Sequence, residues 1–169
     1  MNKFLLFAIF LLVPIVISEE VKDPFEDLNR VTFEFNEKLD ENFLKPIAKT
    51  YSRFPPKIKL GVTNFFNNLE DVETSLNQFL QGKPKKSLND ITRFLINSTI
   101  GLVGFIDVAS KIGLDRHEED FGQTLAVWGV GSGPYIMLPA LGPSTLRDTL
   151  SRPVSSFSSI TFHMTDTAV

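Results

Sequence analysis

Large apolar side chains recur every three or four residues through three stretches of this chain, each fenced by proline or glycine, and that period limits the fold to packed helices. Between Phe25 and Tyr51 the series is Phe25, Leu28, Val31 or Thr32, Phe35, Leu39, Phe43, Ile47 and Tyr51, with Glu26, Arg30, Glu34, Lys38 and Glu41 on other faces. Asp23-Pro24 is a helix start, an N-cap carboxylate followed by proline at the first helical position. Pro46 lacks a donor and crowds the turn before it, so it should bend or divide the segment. Phe54-Pro55-Pro56 breaks the period. The next series runs Ile58, Val62, Phe65, Phe66, Leu69, Val72, Leu76, Phe79 and Leu80, and Gln81-Gly82-Lys83-Pro84 closes it with a glycine cap and a proline stop. A third helix is expected over Lys85 to Asn97, with Leu88, Ile91, Leu95 and Phe94 inward.

Beyond Asn97-Ser98-Thr99 the rhythm changes to an apolar, glycine-spaced piece, in which Gly101, Gly104 and Ala109 would let a helix approach a neighbour closely and Gly113 would end it. Asp120, with Gln123 three residues later, fits a reciprocal capping box for a short helix carrying Phe121, Leu125 and Trp128. Residues 129–143 hold too much glycine and proline for a regular helix, yet Tyr135 to Leu138 and Leu141 are too apolar for a solvated loop. A short structured loop wedged against apolar surroundings is expected there. Ser144 opens a further helical turn, and the Ser- and Thr-rich stretch after Val154 should be poorly ordered. No strand run with convincing alternation is found.

The N-terminus has one lysine, an apolar run from Phe4 to Ile17, and Val16-x-Ser18, which together fit a secretory signal cleaved after Ser18. The expected organisation is therefore a signal peptide over 1–18, one helical domain over 19–154 and a low-complexity tail over 155–169, exported from the cytosol. The run is short for a spanning helix, and no later segment reaches the required length.

With 17 basic and 20 acidic residues, and the basic ones scattered, the chain has no stripe to neutralise a phosphate backbone, so nucleic acid is excluded as a partner. The absence of cysteine excludes disulfides, thiolate chemistry and Cys-based metal sites. Two histidines remain. His117 lies in Asp115-Arg116-His117-Glu118-Glu119-Asp120, which reads as a solvated charged connection, and zinc would need a third ligand that the sequence does not place. Glu70, Asp71 and Glu73 read as helix solvation. Gly129-Val130-Gly131-Ser132-Gly133 fails as a phosphate loop because Pro134 follows and the Lys-Ser/Thr ending is missing. A lipid hydrolase using Ser144 or Ser132 with His117 would lack a nucleophile elbow. No cofactor or catalytic set emerges.

The 16 phenylalanines carry no polar handle, so their helical stripes belong either in a core or among acyl chains, while Trp128 and Tyr135 suit the headgroup level. Periodicity leaves both readings open.

Several ordered motifs tie the sequence to a known group. They are Asp23-Pro24-Phe25-Glu26-x-x-Asn29-Arg30 with Phe33-x-Phe35-Asn36; Asn64-Phe65-x-Asn67-Asn68-Leu69; Asn77-x-Phe79-Leu80-Gln81-Gly82; and Arg93-Phe94-x-x-Asn97-Ser98-Thr99-x-Gly101-x-x-Gly104-Phe105-x-Asp107-x-Ala109. Asp120-Phe121-Gly122-Gln123-Thr124-Leu125, Trp128-Gly129-Val130-Gly131-x-Gly133-Pro134-Tyr135 and Leu138-Pro139-x-x-Gly142-Pro143-Ser144-x-x-Arg147-Asp148 complete them. In these the chain resembles the MlaA (VacJ) proteins of the Gram-negative outer membrane, from Asp23 to Val154.

The resemblance implies an all-α fold, a ring of amphipathic helices lying in the periplasm-facing leaflet around a central channel. It implies that misplaced phospholipid enters the channel and passes to a periplasmic lipid-carrier protein, that a trimeric outer-membrane porin is a partner, and that no covalent chemistry is involved. It places Trp128, Gly129, Gly131, Gly133, Pro134, Tyr135, Ile136, Leu138 and Pro139 at the channel and its adjoining loop. Asn29, Arg30, Asn36, Asn68, Asn77, Asn97, Gly101, Asp107, Asp120, Phe121, Gly122, Gln123, Arg147 and Asp148 become structural motif residues. Two departures are expected to matter: the chain has no cysteine to acylate after its leader, and members of the family usually continue well past the length seen here.

Overall fold

A computed structural model of the chain describes residues 23–158, so the leader expected over 1–18 and the tail from residue 159 lie outside the described residues. The elements, in chain order, are α1 (Glu26–Leu39), a π-helical turn (Asp40–Leu44), α2 (Lys45–Ser52), α3 (Pro56–Leu80), α4 (Pro84–Thr99), α5 (Val108–Lys111), α6 (Phe121–Val127), strands β1 (Tyr135–Leu138) and β2 (Gly142–Thr145), and α7 (Leu146–Ser158).

Proline and glycine act where expected. Pro46 widens the helix rather than dividing it: the π-helical turn immediately precedes α2, which relieves the clash of the pyrrolidine ring with the turn before it. Asp23 Oδ1 accepts from the Phe25 N–H at 2.9 Å, although regular helix begins only at Glu26. Gly82 ends α3, with the Lys83 N–H on the Gln78 carbonyl at 2.8 Å, and Pro84 starts α4. The Asp120 side chain accepts from the Gln123 N–H at 2.7 Å. The reciprocal bond, from the Asp120 N–H to the Gln123 side-chain oxygen, is not formed, and Gln123 Nε2 donates to the Glu118 carbonyl.

α3 and α4 make the most extensive helix pair; α5 packs on α4, α6 on α3, and α7 on α6. Two expectations fail. Residues 101–106 form a turn, not a helix. Residues 135–145 form a two-stranded antiparallel hairpin, with Ile136 opposite Ser144 and Leu138 opposite Gly142, where a strandless loop was expected. α7 also continues through Ser158, past the boundary drawn at 154.

The distribution of polarity is inverted. Among the described residues, the buried apolar side chains are Leu69 and Ala109, against thirteen buried polar or charged ones, while 32 large hydrophobic residues are exposed. The phenylalanine stripes thus face outward. Leu88 and Leu95 of α4, expected inward, are exposed, Ile91 and Phe94 are half-buried, and Asp90, Arg93 and Asn97 occupy the inner face. A helical period locates a face without saying which medium it meets. No helix among the described residues is long and apolar enough to cross a membrane.

Candidate functional site

The polar interior is built by stripes spaced like the apolar ones. On α3, Asn68, Asp71, Thr74, Ser75, Asn77 and Gln78 share the buried side, and on α4 Asp90, Arg93 and Asn97 do. Arg93, 1% exposed, is the hub. Its Nε lies 3.4 Å from Asp71 Oδ2, Nη1 donates to Ser110 Oγ at 3.0 Å and to the Leu114 carbonyl, and Nη2 faces Asp107 at 3.3 Å. A guanidinium suits this position because its planar fork serves several acceptors from one fixed charge. Asn97 Oδ1 accepts from the N–H groups of Val108 and Ala109 at 2.8 and 2.9 Å, and its Nδ2 donates to Asp107 Oδ1. Asp107 caps α5 through the Ser110 N–H at 3.0 Å. Asn97 is thereby the buried clamp of α5.

These contacts separate two carboxyls. Burial pushes Asp71 up to about 7, against the pull of Arg93 and Arg116. For Asp107, burial is outweighed by the hydrogen bonds from Ser110 and Asn97 and by Arg93, which hold it down at about 2. Asp71 is therefore no solvating residue, and sequence reasoning missed it together with Asp90 and Arg116. Polar residues recurring at helical spacing opposite the apolar stripes are the signal that marks them.

The charged connection 114–120 is solvated at Asp115, Glu118 and Asp120 but pinned at Arg116, His117 and Glu119. Arg116 pairs with Glu70 at 2.7 Å, and His117 Nδ1 sits 3.0 Å from Asp90 Oδ2, a carboxylate with no solvent exposure. Glu119 binds Lys83 at 2.9 Å and Gln81 at 3.0 Å. Burial works against the Glu119 charge, yet these bonds hold its carboxyl below the ordinary value. His117 is thus committed to Asp90, and the Ser144 hydroxyl to Thr149 and the Thr145 carbonyl. Among the described residues no group of three or more His, Cys, Asp or Glu could hold a metal ion.

The hairpin is held from outside its own sheet. Asn29 and Asn36, two turns apart on α1, lie along the edge of β1 that β2 leaves open. Met137 N–H donates to Asn29 Oδ1 at 2.7 Å, and Asn29 Nδ2 donates to the Tyr135 carbonyl at 3.3 Å. Ala140 N–H donates to Asn36 Oδ1 at 2.7 Å, and Asn36 Nδ2 to the Leu138 carbonyl at 2.9 Å. Each amide does what a neighbouring strand would do, and Asp23 Oδ2 fixes the flip of Asn29 by accepting from its Nδ2 at 2.8 Å. Arg30, next to Asn29, pairs with Glu26 on its own helix.

The residues expected at the channel are only partly brought together. Trp128 ends α6, donating Nε1–H to the Leu80 carbonyl at 3.1 Å and standing edge-on to Phe121. The glycine loop after it is tied to the start of α7 by the Arg147 and Leu146 N–H groups on the Ser132 and Pro134 carbonyls, both at 3.0 Å. Gly133 has a φ of +69°, and a Cβ there would lie 3.0 Å from Leu146 Cβ, so a side chain is strained at that position. Tyr135 and Met137 line a cavity of about 510 Å³ against α1, together with Phe33, Asn29, Glu34 and the Glu26–Arg30 pair. Ile136 and Leu138 alternate to the other side of β1 and are half-buried. Gly122 and Asp148 meet between α6 and α7, where a Cβ would fall 2.7 Å from Asp148 Oδ1. Gln81 and Asn77 join the end of α3 to α6 through Thr124, whose hydroxyl donates to Asn77 Oδ1 at 2.8 Å.

Residues 21–169 match the family described as MlaA lipoprotein. The chain belongs to the MlaA family. It is 42% identical over 131 residues to the intermembrane phospholipid transport system lipoprotein MlaA of Escherichia coli, covering 75% of this chain and 52% of that protein. An uncharacterized protein of Rickettsia typhi is 40% identical over 139 residues, 82% of this chain and 55% of its own length. A structure solved to explain maintenance of bacterial outer membrane lipid asymmetry superposes with a TM-score of 0.68 at 41% identity, covering 75% of this chain and 66% of that one. The chain spans about half the length of the curated relatives it matches. The MlaA match extends through residue 169, beyond the point at which the motifs end in the sequence. Several MlaA motif residues, Asn29, Asn36, Asn68, Asn77, Asn97, Asp107 and Asp120, are the side chains that make the interior bonds described above or cap helices.

Proposed function

We propose that this chain is an outer-membrane component of intermembrane phospholipid transport, lying in the periplasm-facing leaflet and passing mislocalised phospholipid to a periplasmic carrier. The observation that carries the reading is the inverted burial: 32 large apolar residues face outward around a polar interior, with no spanning helix among the described residues. Exposed apolar surface on this scale is costly in water and favourable among acyl chains. A transport role needs no nucleophile, and His117 is already committed to Asp90. The porin and carrier partners, and a lipid path bordered by Trp128 to Pro139, belong to the same proposal. The cavity beside Tyr135 and Met137 supports the last of these by placing apolar and polar lining side by side.

Fractionation tests the proposal as a whole. The protein should appear in outer-membrane fractions and co-purify with phospholipid in detergent; recovery in the soluble periplasm without lipid would overturn the reading. Leu138→Asn tests the channel border on the side of β1 turned away from the cavity beside Tyr135 and Met137. At a water-accessible wall it should leave folding intact and lower lipid transfer to the carrier. In a purely structural hairpin it should cost about 2 kcal/mol of stability, with activity falling in proportion to folded protein.

A further inference from the structure

The turn between α4 and α5 has the properties of backbone that lives in hydrocarbon. No ionisable residue occurs from Phe94 to Ile106. Ile100, Leu102 and Val103 are 69, 65 and 64% exposed, and Phe105 and Ile106 are exposed beside them. Leu102 and Val103 adopt left-handed φ values of 53° and 57°, a conformation that aliphatic and β-branched residues rarely accept.

What this conformation achieves is a backbone largely closed on its donor side, with the Leu102 N–H alone left without a partner among residues 100–106. The Ile100 and Gly101 N–H groups donate to the Ile96 carbonyl at 2.8 and 3.2 Å, Val103 to Ser98 at 3.2 Å, Gly104 to Asn97 at 2.8 Å, Phe105 to Leu102 at 3.3 Å and Ile106 to Gly101 at 2.8 Å. Folding back through two left-handed residues lets the turn close the carbonyls that a helix C-terminus otherwise leaves open, here those of Ile96, Asn97 and Ser98. Thr99 Oγ1 covers the Leu95 carbonyl at 2.7 Å, and Asn64 Nδ2 covers that of Phe105 at 3.1 Å. The fold-back needs glycine at Gly104, φ +91°, where a Cβ would lie 2.7 Å from Asn68 Nδ2.

A turn facing water has no need to satisfy its own N–H groups, and a protein-binding loop gains specificity from polar tips. A lipid-exposed segment must close its hydrogen bonds internally and present hydrocarbon outside. We infer that residues 100–106 are a wedge inserted among the acyl chains of the leaflet. This rests on the leaflet reading above and adds to it which segment penetrates. The wedge is continuous with the apolar side of α3 through the Phe65 and Phe105 rings, whose centroids are 5.3 Å apart.

Because the sequence has no cysteine, single Cys variants take one fluorophore each. Ile100→Cys, Val103→Cys, Phe43→Cys and Asp115→Cys, in the full chain, are mixed with vesicles of phosphatidylethanolamine and phosphatidylglycerol carrying nitroxides near the headgroup or near the acyl-chain end. The labels at 100 and 103 should be quenched most by the deep nitroxide, and the label at 115 by neither. If the label at 43 is quenched while those at 100 and 103 remain aqueous, the wedge assignment is wrong and the leaflet reading stands. If no label is quenched, both fail. Val103→Asn separates insertion from folding, since asparagine accepts the left-handed region. It should preserve the fold while weakening vesicle partitioning about tenfold; unchanged partitioning would overturn the inference.

Discussion

Arg93 shows what a single residue carries when the interior is polar. Its guanidinium is shared by Asp71, Asp107, Ser110 and the Leu114 carbonyl, so truncation strands two carboxyls and a hydroxyl in one place. Arg93→Ala should destabilise the fold by about 3–5 kcal/mol in detergent denaturation. Arg93→Lys should recover only part of this, because one ammonium cannot reach the same acceptors. The two carboxyls give opposite pH signatures. Asp71, raised to about 7, binds a proton more readily folded than unfolded, so its contribution to stability grows as pH falls from about 7 toward its ordinary value of 3.8. Asp107, lowered to about 2, contributes stability above 3.8 that is lost as pH falls toward 2. Comparing unfolding curves across pH, Asp71→Asn should flatten the upper slope and Asp107→Asn the acid one. The reverse assignment would show that the network is charged differently.

At the scale of elements, the hairpin depends on α1 more than on itself. Strands of four residues are too short to stand alone, and Asn29 and Asn36 supply the missing edge from more than a hundred residues away. Asn29→Asp keeps the shape but replaces a donor by an acceptor, facing the Tyr135 carbonyl and the Asp23 carboxylate. It should speed amide exchange at Met137 while leaving Ala140, held by Asn36, protected; equal loss at both would mean that the clamp acts as one unit. The same hairpin explains where the sequence was opaque. Pro55-Pro56, Gly82-Pro84 and Asp120 mark helix ends by local chemistry, so the helices were legible to within a few residues. β1 has no alternating pattern, and its partner edge consists of side chains on a distant helix, which no local window contains. The connection 114–120 was half legible for a related reason: a run of charges looks the same whether it meets water, as Asp115, Glu118 and Asp120 do, or Glu70, Asp90 and Lys83, as Arg116, His117 and Glu119 do. Of the candidate site, the tightly packed glycines and clamping asparagines were legible as motifs, and the Asp71–Arg93 pairing was not.

Across the whole molecule, an outward apolar surface and an inward polar network assign stability and membrane association to different residues. In a water-soluble helical domain, burying the apolar stripe supplies most of the stability, and charging it unfolds the chain. Here Phe43, 62% exposed, has little interior packing to lose, whereas Asn97 holds α5 by two N–H bonds and Asp107 by a third. Phe43→Asp should therefore leave helicity and unfolding free energy within about 0.5 kcal/mol of the parent in mild detergent. Its binding to phospholipid vesicles should weaken about tenfold or more, read by flotation, because a ring leaves hydrocarbon and a charge replaces it. Asn97→Leu should do the opposite. It adds apolar volume but leaves buried N–H groups unpaired, at about 1–3 kcal/mol each, so folded protein is lost before any effect on lipid can be measured. If Phe43→Asp unfolds the chain while Asn97→Leu is tolerated, the stripes are an ordinary core and the polar residues are its surface.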